Sequence, residues 1–115
     1  MAKRSKQLES ELRWLRKAFP SDCRVYVKIV PRYQVRKSTD PPEYKGSDGI
    51  VLPFEKSLRI LIAEESSEEM KSITLDHEWA HVLAYPKQNR KHHTRDWQLA
   101  YGAIAAAREK RLRNP

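Results

Sequence analysis

Hydrophobic and polar positions alternate along this chain with periods that change three times. Leu8, Leu12, Leu15 and Phe19 recur at steps of four, three and four, with Lys, Arg and Glu between them. That is the stripe of an amphipathic helix, which Pro20 ends before a turn at Ser21 and Asp22. Val25, Val27 and Ile29 then alternate with Arg24, Tyr26 and Lys28, the period of a half-buried strand. Pro31 interrupts, and Tyr33, Val35 and Lys37 keep the period of two as a continuing second strand. Residues 38–53 are rich in Pro, Gly, Asp and Ser and predict a long irregular loop. Leu58 to Ala63 is a short apolar run of strand length, closed by Glu64 and Glu65.

Ser66 and Glu69 then have capping-box spacing, and Glu68 and Glu69 suit the positive end of a helix. Met70, Ile73, His77, Ala80 and Ala84 form its predicted inner stripe, and Pro86 stops it after about five turns. Residues 87–92 read as a polar linker. A last helix starts near His93 with Trp97, Ala100, Tyr101, Ile104 and Ala107 on its inner face. The class is α+β: an N-terminal helix, a small and mostly antiparallel sheet, then two helices.

Composition narrows the setting. The 115 residues suffice for a single domain, 1–115, with one modest core. No apolar run approaches the ~20 residues of a membrane span, and no apolar leader opens the chain. Cys23 is the one cysteine, so no internal disulfide or four-thiolate zinc site can form, and a reducing cytoplasm is the expected compartment. The net charge of +8 is uneven: residues 1–37 carry +8, residues 38–86 carry −6 and residues 87–115 carry +6. Basic tails at about 1–6 and 108–115 would suit DNA, with Arg108, Lys110, Arg111 and Arg113 as candidate contacts. Cations at a helix C-terminus are also favoured by the helix dipole alone.

The string that carries chemistry is His77-Glu78-Trp79-Ala80-His81. Histidines at i and i+4 stand one above the other on a helix, so both imidazoles can converge on one ion. Glu78 lies at the edge of the same face, where a carboxylate can take a proton from water that the metal activates. A catalytic zinc usually has three protein ligands. The candidates for the third are His92, His93, Asp96 and Asp76. Asp76 points about 100° away around the helix. His93, twelve residues beyond His81 and at the head of the last helix, is favoured, with His92 its near competitor. Trp97, one turn on, would pack under the site and fix the angle between the helices. Tyr85 or Tyr101 could help an oxyanion, and packing is the expected duty of Tyr101.

Residues 74–81, Thr-Leu-Asp-His-Glu-Trp-Ala-His, followed by His93-Thr-Arg-Asp-Trp97 and Gln-Leu-Ala-Tyr-Gly-Ala-Ile, resemble the SprT-like metallopeptidase domain. That family includes the Spartan-type proteases that act on DNA–protein crosslinks, and small stand-alone bacterial and phage members. The resemblance is close over about residues 58–105. It implies one zinc per chain on His77, His81 and His93, Glu78 as general base, Trp97 as the packing aromatic, and a protein or peptide substrate. Thr94 stands where the family commonly has Gly or Asp, and no Cys-rich zinc ribbon follows. Two other classes fit the sequence: a nucleic-acid-binding module with a structural or vestigial zinc, and a phage accessory protein that binds a host partner. If Leu58–Ala63 formed a sheet edge beside the site, it could hold substrate as an added strand.

Overall fold

The computed structural model describes residues 3–38, 48–84 and 95–113. In chain order it has α1 (Lys6–Ala18), β1 (Arg24–Val30), α2 (Arg32–Lys37), β2 (Gly49–Phe54), β3 (Ser57–Ala63), α3 (Glu68–Ala84) and α4 (Arg95–Arg113). The class is α+β, with four helices and a three-stranded sheet among the described residues. None of these helices is long and apolar enough to cross a membrane.

The sheet order is β1-β3-β2, with β1 parallel to β3 and β2 antiparallel to it. The sheet is therefore mixed rather than mostly antiparallel. β3 is central, so Leu58–Ala63 is not an edge, and the edges belong to β1 and β2. Part of the predicted loop is also strand: Gly49–Phe54 pairs with β3 throughout, and residues 39–47 lie outside the described residues.

Residues 32–37 form a helix, not a second strand. Parallel pairing of β1 with β3 requires the chain to leave the sheet after Val30 and return by a crossover. Pro31, which has no N–H for a ladder, stands at the N-cap position, and its carbonyl accepts from the Gln34 amide at 2.9 Å. Val35 is the one fully buried residue of α2, packed with Val30, Leu61 and Ala63 on one sheet face. The Arg32 amide donates to Glu65 Oε1 at 2.7 Å and its guanidinium pairs with Asp48 at 2.8 Å, fixing the helix to β2 and β3.

The main core fills the other sheet face. Leu8, Leu12 and Leu15 of α1 meet Val25, Val27 and Ile29 of β1, Ile60 and Ile62 of β3, and Leu75, Trp79 and Val82 of α3. Full burial of each such side chain is worth roughly 1.5–3 kcal/mol. Trp79 also donates its indole N–H to the Phe19 carbonyl at 2.8 Å, tying α3 to the end of α1. The helix α3 starts one residue later than the capping-box spacing predicts. Ser67 Oγ accepts from the Met70 amide at 3.2 Å, whereas Ser66 is buried and donates to Asp48. The predicted stripe holds at Ala80 and Ala84, which are buried, and fails at Met70, which is exposed, while Leu75, Trp79 and Val82 join the buried face. On α4 the expected face holds, with Trp97 and Ile104 buried and Ala100 and Tyr101 half-buried against the core.

The outer edge of β1 is closed by side chains. Arg16 donates to the Val25 carbonyl at 3.0 Å and Arg4 to the Val27 carbonyl at 3.1 Å. An edge strand blunted in this way offers fewer groups to an added strand.

Candidate functional site

The middle of α3 has its helical position fixed by Leu75 and Trp79, which anchor it in the core. That anchoring turns His77, Glu78 and His81 toward α4 and the start of β2. The ligating atoms of the three side chains all lie within 4.8 Å of one another. His77 and His81 stand 5.2 Å apart between ring centroids, as one helical turn dictates. His77 is half-buried, while Glu78 and His81 are buried.

Trp97 of α4 does what its position predicts. Its ring packs 4.9 Å from His77 and 5.4 Å from His81, and its indole N–H donates to the His77 carbonyl at 3.2 Å. Tyr101 stacks on Trp97 at 5.1 Å and meets the edge of His77 at 5.9 Å. The two histidines thus have an aromatic wall on one side, which restricts their rotation.

Glu78 Oε2 lies 3.8 Å from His77 Nε2. Burial pushes the Glu78 carboxyl up to about 8, because burial disfavours its charged form. A divalent cation bound beside it would reverse that shift. Two imidazoles one helical turn apart are donors of the kind zinc takes, and the Glu78 carboxylate stands beside them, so the residues present fit the metal that the resemblance implies.

The approach of β2 to this site depends on Gly49, which the sequence pattern left inside the loop. A Cβ there would stand 2.4 Å from Thr74 Cγ2 and 3.2 Å from both Cγ and Oε2 of Glu78. Only glycine lets the strand come so close to the helix at Glu78.

The remaining predicted residues divide sharply. His92, His93 and Tyr85 lie outside the described residues. Asp96 is exposed in the first turn of α4. Asp76 does turn away from the histidines, as expected, and is buried between helices, where Arg108 donates to its Oδ2 at 2.9 Å. Arg111 donates to the buried Glu11 at 2.6 Å and lays its guanidinium 4.2 Å over the Trp14 ring. Arg108 and Arg111 therefore serve the joint of α1, α3 and α4. As candidate DNA contacts, these two are instead engaged inside the fold. Arg113 pairs with Glu109 on the exposed surface of α4.

Glu11 Oε2 and Asp76 Oδ1 are buried without a partner among the described residues, and a protonated Asp76 can donate to the neighbouring Glu11 carboxylate. Burial and this hydrogen bond push Asp76 up to about 8. Burial also raises Glu11, but the hydrogen bonds from Asp76 and Arg111 outweigh it and leave Glu11 below its ordinary value. Glu11 was legible as an acid on the stripe of Leu8, Leu12 and Leu15, a placement that demands a buried partner.

Comparison with protein-family models, with curated proteins and with solved structures finds no match.

Proposed function

We propose that this chain is a zinc-dependent metallopeptidase of the SprT-like kind, with Glu78 as general base. The observation that carries the reading is the convergence of His77, Glu78 and His81 within 4.8 Å on a helix anchored in the core and walled by Trp97. His77 and His81 would hold the metal, with His93 as third ligand. Zinc, when bound, would supply Lewis acidity that lowers the pKa of a coordinated water toward about 7.

The protein's own groups account for the rest. Glu78, buried beside the histidines, accepts a proton from the attacking water and returns it to the leaving amine. Gly49 keeps β2 close enough to press on Glu78 and hold its carboxylate in place. Trp97 orients the imidazoles through ring contact and through the His77 carbonyl. Since β3 is central, the strand edge on the Glu78 side is that of β2, and a peptide lying along it would pass the carboxylate.

The test is zinc content of the purified protein with casein hydrolysis alongside. One zinc per chain is expected, lost in His77→Ala, His81→Ala and His93→Ala and kept in His92→Ala. Loss in His92→Ala but not in His93→Ala moves the third ligand by one residue. A wild-type protein that takes up no zinc, or holds zinc without hydrolysing casein, contradicts the proposal.

A further inference from the structure

The sheet face opposite the zinc candidate is only half covered. Its residues run in rows set by the strand register: Val30 beside Ala63, Lys28 beside Leu61 and Ile50, Tyr26 beside Arg59 and Leu52, and Arg24 beside Ser57 and Phe54. The small helix α2 covers the first end through Val35. The other end is open, and there the strands carry rings and cations where a solvated sheet would carry mixed polar residues. Tyr26 is 45% exposed and Phe54 is 54% exposed. Arg24, Lys28, Lys56 and Arg59 surround them around a shallow depression of about 610 Å³, with Glu55 the one acid on its rim.

Unpaired cations beside exposed rings mark this patch. Among the described residues, Arg4, Arg32, Arg108, Arg111 and Arg113 are each held by a carboxylate, whereas Arg24, Lys28, Lys56 and Arg59 make no ion pair. Arg59 instead lies 4.7 Å over the Phe54 ring, with its Nε buried and without a hydrogen-bond partner. Four unpaired cations thus share the face that also exposes the rings, though Arg13, Lys17 and Lys37 are unpaired elsewhere.

We propose that this open sheet face is a binding platform for single-stranded DNA, with Tyr26 and Phe54 stacking on bases and Arg24, Lys28, Lys56 and Arg59 meeting phosphates. Aromatic rings on a cationic surface are the combination that holds single strands, because every base has a π-face and every nucleotide a negative charge. Tyr26 and Phe54 stand on the two outer strands, on the order of 10 Å apart from strand spacing alone. Bases stacked ~3.4 Å apart inside a duplex cannot reach both rings, whereas bases splayed from a single strand can. Ser57 donates to the Phe54 carbonyl at 2.9 Å and Tyr26 accepts from Arg24 at 3.3 Å. Rings and cations meet the base and phosphate common to both nucleic acids, and the oligo-rU arm of the test separates RNA from DNA. An extended peptide adding to β1 is disfavoured because Arg16 and Arg4 occupy its Val25 and Val27 carbonyls.

The platform stands independently of the peptidase proposal, since α3 packs on the other sheet face. It also moves the expected DNA contacts from the C-terminal cations, two of which are spent inside the fold, to the sheet.

The test is fluorescence anisotropy of the full chain with a labelled twelve-residue oligo-dT at several salt concentrations. Tyr26→Ala with Phe54→Ala is expected to weaken binding at least about thirtyfold, since each of the two lost stacks is worth ~1–3 kcal/mol. Tyr26→Phe with Phe54→Tyr should restore it. Four phosphate contacts predict a log–log salt slope of about −3, reduced by about 0.7 in Lys28→Gln. Zinc content should not change in any of these variants, whose folding circular dichroism checks. Unaltered affinity in the alanine pair would overturn the proposal. So would duplex or oligo-rU binding as tight as oligo-dT, competition by polyglutamate equal to that by oligo-dT, or no binding at 50 mM salt.

Discussion

At the scale of single residues, the chain distinguishes cations that hold the fold from cations that sit on it. Arg111 neutralises a buried Glu11, so Arg111→Ala leaves an ionised carboxylate inside the α1–α3–α4 joint. Breaking a buried pair in this way costs on the order of 3 kcal/mol. Arg113 pairs only with an exposed Glu109, and Arg113→Ala should stay within about 0.5 kcal/mol of wild type. Urea denaturation of the two variants checks the contrast, and equal midpoints would show that the Glu11 pair contributes nothing. A position count on α4 could not separate these arginines, because what distinguishes them is which residue of a distant helix each one meets. The site residues were more legible. His77, Glu78 and His81 are local to one helix, so their spacing alone brings them together, and Trp97 followed from the need to pack under them.

At the scale of elements, what the sequence left open was decided by pairings across the fold. The stripe of α1 and the alternation of β1 follow from local periodicity and appear where expected. Residues 32–37 alternate as a strand would, yet the parallel β1–β3 pairing takes them out of the sheet and into α2. Residues 49–54 look like loop because Gly49 and Pro53 weaken a strand pattern, but Pro53 lies on an edge strand, where a missing N–H is tolerated. Gly49 is there for its lack of a side chain. Gly49→Ala should force Thr74 and Glu78 aside, costing about 1–3 kcal/mol of stability as overpacking does. Thermal unfolding measures this, and hydrolysis should fall with it because Glu78 is one of the atoms displaced. A variant as stable as wild type would show that β2 stands further from α3 than the structure has it.

For the whole molecule, the buried carboxyls set a pH dependence. Asp76 and Glu78 are both pushed up to about 8 by burial, above the ordinary values of 3.8 and 4.5 that apply once the chain unfolds. The metal-free native state therefore holds more protons than the unfolded state between about pH 4 and pH 8. Stability must fall as pH rises through that window. Glu11, shifted down, contributes the opposite slope only in acid, below its ordinary value. Urea midpoints of the metal-free protein should accordingly decline from pH 5 to pH 8. The decline should be shallower in Glu78→Gln, whose neutral amide needs no proton. A flat profile would mean that neither carboxyl is as desolvated as its burial indicates.

The central claim is that a carboxylate on the turn between two metal-holding histidines acts as base in peptide hydrolysis, and one comparison tests it most directly. Casein cleavage by zinc-loaded Glu78→Gln is measured beside wild type at matched zinc content. The amide keeps the shape of Glu78 and loses its basicity, so the rate should fall about 10²–10⁴-fold while zinc is retained. Cleavage at the wild-type rate by the zinc-loaded variant would contradict the account.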